Sequence, residues 1–201
     1  MQKLVVFDFR VKIKKKRRPC PPPISLTRAE LRSVLECARQ ENFPVYVLML
    51  LQYWHAGRNS EMIHLTRDNF VAGVLIYKRG KGSEPCRQKL VEDPDPVFNE
   101  AQVLPGFLSG FSGKQKLYPR SRWTYWRQVK ELAIAAGLPA HKAKTTVLKH
   151  SIVTHVIERF GVNVAQRRAG HVNGASTLRY ARLTEESVDQ LLSEGLAPTH
   201  V

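Results

Sequence analysis

Cysteine, acidic residues and long apolar runs are all scarce in this chain. Its three cysteines, Cys20, Cys37 and Cys86, are odd in number and far apart. They form no Cys-x-x-Cys pair, and no histidine cluster accompanies them at zinc-ligand spacing. A disulfide framework and a structural metal are thereby disfavoured, and no cofactor and no metal is expected. No apolar run reaches the roughly 20 residues that a membrane-spanning helix needs. The opening MQKLVVFDFRVKIKKKRRPC carries its charges after its short apolar run, the reverse of a secretory signal. A cytoplasmic protein with no membrane partner is expected. Against 17 Asp and Glu stand 32 Lys and Arg, for a net charge of +15 and a pI near 10.1. Such a field favours a polyanion, most simply nucleic acid, and hence a nucleoid-associated place in the cell.

Organisation follows from punctuation and period. Residues 1–24 read apart from the rest: a short alternating stretch, five consecutive basic residues from Lys14 to Arg18, then Cys-Pro-Pro-Pro. This is a basic, proline-containing tail or linker, solvated or tracking phosphates. Residues 25–201 read as one domain. Thr27 with Glu30 forms a capping box ahead of apolar residues at helical spacing. FPVYVLMLLQYWHA, 43–56, is apolar all round and predicts a buried helix with Pro44 in its first turn. A short helix is expected over 59–65. The period then changes to that of strands. GVLIY and CRQKLV flank the loop KRGKGSEP, which predicts a β-hairpin with a basic tip. EDPDP and PGFLSGFSGK read as loops around a short helix. Helices are predicted over 121–138 and 144–161, each stopped by glycine. Shorter ones follow near 163–169 and 174–181, with a last one over 184–194. The expected class is mainly α with a small antiparallel sheet, an α+β domain. RWTYWR reads as a core face of Trp123 and Trp126 edged by arginines.

Several chemically suggestive pieces then appear in order. AGRNSEM puts Arg58 at a helix start with Glu61 one turn on. RGKG puts Lys81 at the hairpin tip. LKHS holds Lys149 and His150 on one helix. AGH supplies His171, and STLRYARL brings Tyr180 nine residues later. Together they resemble the tyrosine recombinase and phage integrase family over about residues 25–195. AGRNSEM is similar to the Gly-x-Arg-x-Ser-Glu-Leu box, RGKG to the hairpin lysine, and LKHS to the His-x-Leu-Arg-His-Ser box. AGH is similar to Leu-Gly-His, and STLRY to Thr-Thr-x-x-Tyr. Each motif alone is weak; the ordered set is specific. Two departures stand out. Lys149 occupies the place of the family's second arginine, and Thr146 that of its second-box histidine. The stretch from Gly161 to His171 also looks about two residues short.

The resemblance implies the family's catalytic-domain (DNA breaking-rejoining) fold and a covalent exchange of DNA strands. Tyr180 attacks a phosphodiester, forms a 3′-phosphotyrosine and releases a 5′-hydroxyl; the reverse step rejoins the strand. Arg58 and Lys149 stabilise charge on the phosphate, Lys149 as a point charge lacking the guanidinium fork. Lys81 protonates the leaving oxygen, and His171 bonds the phosphate or assists the tyrosine. The protein's own cations make a metal unnecessary. Glu61 steadies Arg58. Lys78 and Arg79 are alternatives to Lys81 and candidate DNA contacts. Lys142 and Lys144 are phosphate contacts or stand-ins for the missing second-box base, and Arg179 is a further contact. His150, a supporting residue beside Thr146, and His155 read as buried, hydrogen-bonded histidines. Double-stranded DNA is the expected partner, with a homodimer or tetramer assembled on it. The expected function is that of a site-specific recombinase or integrase, of a mobile element. A catalytically impaired DNA-binding regulator of the same fold is the alternative, and a type IB topoisomerase-like enzyme a third reading.

Overall fold

The structure is a computed structural model that describes residues 23–80 and 82–180. The expected N-terminal tail up to residue 22, Lys81 and the expected helix over 184–194 lie outside the described residues.

The capping box predicted from Thr27 and Glu30 forms. Thr27 Oγ1 accepts from the Glu30 N–H at 3.2 Å, and Glu30 Oε2 accepts from the Thr27 N–H at 2.9 Å. It opens helix α1, Arg28–Glu41, whose Leu31, Val34, Leu35 and Ala38 turn inward at helical spacing. Helix α2, Phe43–Trp54, has Pro44 in its first turn and buries every residue from Val45 to Tyr53. A helix apolar on all sides belongs in the middle. Accordingly α1 and the later helices α4, Glu100–Leu108, α5, Arg122–Ala135, and α6, Thr145–Phe160, all pack on it.

The short helix α3, Asn59–Met62, leads into a three-stranded antiparallel sheet in the order β1-β2-β3. Strands β2, Val74–Tyr77, and β3, Cys86–Lys89, are the predicted hairpin, with Tyr77 opposite Cys86. The sequence reading missed strand β1, Phe70–Val71, which pairs Phe70 with Leu75. Its turn to β2 is Ala72-Gly73, with φ of 48° and 72°. Two-residue turns with both φ positive match strand twist, but alanine there gives no hairpin signal. Helix α4 also runs through Pro105 and Gly106, which read as the start of a loop; Ser109 Oγ closes its end by donating to the Gly106 carbonyl at 2.7 Å.

Helix α5 turns Tyr125, Val129, Leu132 and Ala133 to the core. Trp123 and Trp126 do not share that face: they are 70% and 36% exposed. This corrects the expected Trp core face, because the inward stripe runs through Tyr125 and leaves Trp123 and Trp126 on the solvent side. Helix α6 buries Val147, Leu148, Ile152 and Val153. It is stapled to the chain before α1: Ser151 Oγ accepts from the Leu26 N–H at 2.8 Å, and His155 Nε2 lies 2.9 Å from the Leu26 carbonyl. Helix α7, Val162–Ala169, ends at Gly170 in the left-handed region, φ 66°, and α8, Ala175–Leu178, closes the described chain.

A buried polar knot ties the sheet to these helices. His55 and Glu100 are both fully buried with Nε2 and Oε1 3.0 Å apart. Burial opposes charge on His55, but the Glu100 carboxylate prevails and raises its pKa. The same Glu100 oxygen accepts from the Val91 N–H at 2.7 Å.

Candidate active site

Arg58 is the N-cap of α3. Its Nη1 donates to Glu61 Oε1 at 2.8 Å, its backbone N–H to Glu61 Oε2 at 2.8 Å, and its Nη2 to Ser83 Oγ at 3.2 Å. Glu61 also accepts from the Gly80 N–H on the hairpin at 2.8 Å. One carboxylate thus holds the guanidinium, the start of α3 and the hairpin together. Burial works against its charge, yet the N–H groups of Arg58 and Gly80 outweigh that and keep its pKa below the usual carboxylate value. The Arg58 side chain remains 40% exposed and lines an open groove of about 640 Å³ together with Lys78 and His64.

The far arm of the hairpin docks on the end of α7. The Glu84 N–H donates to the Gly170 carbonyl at 2.9 Å, and Ser83 forms a β-bridge with His171. Ser83 therefore touches both Arg58 and the His171 backbone. His171 Nδ1 lies 2.9 Å from Oγ1 of the fully buried Thr177. When Thr177 donates, the proton on the ring sits at Nε2, which is then a donor. Lys149 is 9% exposed on α6. Burial first, then the charges of Arg58 and Arg79, depress its pKa to about 8. His171 is pushed to about 4 by burial and by Lys149, Arg58 and Arg79. The charges of Arg58, on α3, and Lys149, on α6, thus both bear on His171, in the turn after α7.

Tyr180 is set to one side of it. Its hydroxyl lies 2.6 Å from His150 Nδ1, and its ring packs at the edge of the core. Burial raises its pKa against the opposing charge of Arg179. His150 is pushed down to about 4 by burial, Lys149 and Arg179. Thr146 is exposed on the first turn of α6.

Among the expected DNA contacts, Lys78, Lys144 and Arg179 are exposed. Two others sit differently. Arg79 is only 5% exposed, and its Nη2 donates to the carbonyls of His55 at 2.9 Å and Arg168 at 3.0 Å. It is a buried brace between hairpin and α7, because the hairpin's inward face carries every second residue and Tyr77 and Arg79 share it. Lys142 is committed to α1, with Nζ 2.6 Å from Glu30 Oε1. Ser83 and Thr177 are the residues that sequence reasoning passed over. Neither stands at helix or strand spacing from its partner, and only Thr177's place in the Thr-Thr-x-x-Tyr-like stretch hinted at it.

Comparison with known proteins agrees with this architecture. No family model matches the chain. It is 28% identical over 184 residues to the tyrosine recombinase XerA of Pyrococcus furiosus, covering 84% of this chain and 60% of that protein. The chain thus spans about three-fifths of the curated relative's length. The crystal structure of XerA recombinase superposes with a TM-score of 0.71 at 18% identity, over 90% of this chain and 68% of that one. XerH site-specific recombinase, bound to its difH substrate in a pre-cleavage complex, gives a TM-score of 0.67 at 18% identity, over 87% and 55% of the two chains. In fold the described chain is like the catalytic domains of tyrosine recombinases and integrases, and in sequence it is similar to proteins named tyrosine recombinase.

Proposed function

We propose that this chain cuts and rejoins double-stranded DNA as a site-specific recombinase, with Tyr180 as nucleophile. The contacts of Ser83 with Arg58 and His171, with Lys149 buried on α6 and the Tyr180 hydroxyl held by its neighbour His150, carry this reading. The relative that names its substrate, XerH on difH, supports DNA as the partner.

In the reaction Tyr180 Oη bonds to phosphorus and the bond from phosphorus to the 5′-oxygen breaks. The tyrosine loses its proton and the departing oxygen gains one. Arg58, pre-braced by Glu61, meets the charge that builds on the non-bridging oxygens, and the Nε2–H of His171 adds a neutral donor. Lys149 adds a point charge without a fork. Lys81, at the hairpin tip, protonates the leaving oxygen. Residues 25–201 form the catalytic domain, with residues 1–24 a basic tail that follows phosphates, and two or four protomers pair on the DNA. The protein works in the cytoplasm on the nucleoid, as part of a mobile element.

A duplex is selected from a randomised pool by affinity for the protein and nicked so that cleavage releases a short, irretrievable fragment. Wild type should yield a denaturant-stable protein–DNA adduct and Tyr180→Phe none. Salt-sensitive binding with no adduct from wild type would instead favour a regulator that keeps the fold without the chemistry.

A further inference from the structure

The resemblance places a histidine or other base at position 146, where this chain has an exposed threonine. An imidazole stands four residues on, at His150. Residues four apart lie on one helix face, a single turn from each other. His150 does not point at an arbitrary neighbour. Its Nδ1 lies 2.6 Å from the Tyr180 hydroxyl, and the two rings sit 5.5 Å apart at a tilt of 43°.

Among the described residues, His150 is the hydrogen-bond partner of the Tyr180 hydroxyl. Helix α8 is four residues long, a single turn, which is too short to hold a side chain rigidly by itself. Side-chain contacts between Gly170 and Tyr180 include Thr177 on His171, the Gln166 amide on the His171 carbonyl, and Tyr180 on His150. The first sets a ring that faces the cationic group. The last sets an oxygen.

We propose that His150 is the positioning residue of the nucleophile: its Nδ1 accepts the Tyr180 hydroxyl hydrogen bond and fixes where that oxygen rests on α6. The proposal rests on the strand-transfer reading of Tyr180. The charged groups that act on His150 are Lys149 on its own helix and Arg179 at the end of α8, both cationic. With burial they keep the imidazole neutral near pH 7, so its lone pair stays available. Burial likewise keeps the phenol protonated, so the hydroxyl is the donor and the ring the acceptor.

Two substitutions separate position from packing. In His150→Asn the amide oxygen falls near the Nδ1 site and can still accept. In His150→Leu the bulk stays and the acceptor goes. On the nicked duplex at saturating concentration, His150→Leu should form adduct about 10²-fold more slowly, the order expected when a reacting group is misplaced by about 1 Å. His150→Asn should recover at least about tenfold of that, and both should bind the duplex as wild type does. Wild-type speed in His150→Leu, or His150→Asn no faster than His150→Leu with both folded, overturns the proposal. Imidazole nitrogen shifts in the free protein give a readout independent of turnover. Tyr180→Phe should move the His150 Nδ1 resonance toward that of an unbonded ring; an unmoved resonance overturns the contact. A wild type that forms no adduct would sink the strand-transfer reading, and the nitrogen shift would still decide the role of His150.

Discussion

Arg58 and Tyr180 are the two ends of the proposed reaction, and they are held in opposite ways. Arg58 starts a helix, is gripped at side chain and backbone by one carboxylate, and reaches Ser83 on a hairpin that is itself docked on α7. Tyr180 follows a single helical turn and meets the core through one hydrogen bond and the edge of its ring. The cationic half is braced from several elements; the nucleophile half hangs from side chains. Transition-state charge is best met by donors that need not move, whereas a tyrosine that attacks and later leaves phosphorus gains from an attachment that gives way.

The largest effect probes the hanging half. Tyr180→Phe should abolish the covalent adduct in denaturing gels while DNA binding persists, since only the hydroxyl is lost. Next comes the brace. Glu61→Ala removes the acceptor of three N–H groups and should slow adduct formation by about 10²–10³-fold, the usual scale for losing an aligned charge donor. If the rate hardly changed, Arg58 would not depend on its brace and the contrast between the halves would fail. Gly170→Ala tests the hairpin dock. A Cβ there would meet Arg79 Nη1 at 2.8 Å, on a backbone at φ 66°. Thermal or denaturant unfolding should show a loss of about 1–3 kcal/mol.

Smaller still is the pH response of Lys149. Its charge is present below a pKa of about 8 and lost above it. The cleavage rate should therefore fall through that value, by about tenfold one unit above it, and Lys149→Arg should flatten the fall. The stability linkage has the opposite sign. From about 8 up to the ordinary lysine value the unfolded chain binds this proton and the folded chain does not, so this group's contribution favours folding as pH rises. A rate that falls without unfolding points to the lysine. The smallest effect lies away from both halves. Trp123→Ser should change stability by less than about 0.5 kcal/mol, because the side chain is 70% exposed.

Much of the architecture was legible where local chemistry decides it. The Thr27 box, Pro44 in the first turn of α2, and Gly161 at the end of α6 are local rules acting within a few residues, and each operates as read. Strand β1 was not, since two residues and an Ala72 turn carry no period. The buried brace of Arg79 and the ion pair of Lys142 were not legible for a different reason. A basic residue reads as exposed unless its partner is known, and the partners are the carbonyls of His55 and Arg168 and the carboxylate of Glu30, 24, 89 and 112 residues away in the chain.

The same division runs through the candidate site. Motif order, through its resemblance to the tyrosine recombinase boxes, singled out Arg58, Lys149, His171 and Tyr180, residue types that suit a phosphate-directed site whatever the fold around them. What those side chains do to one another was decided by the tertiary structure. Only the packing of α6 against α7 and of the hairpin against the end of α7 could bury Lys149, lower the pKa of His171 and hand the Tyr180 hydroxyl to His150. Burial and the distance between charges are properties of space, and sequence order does not contain them.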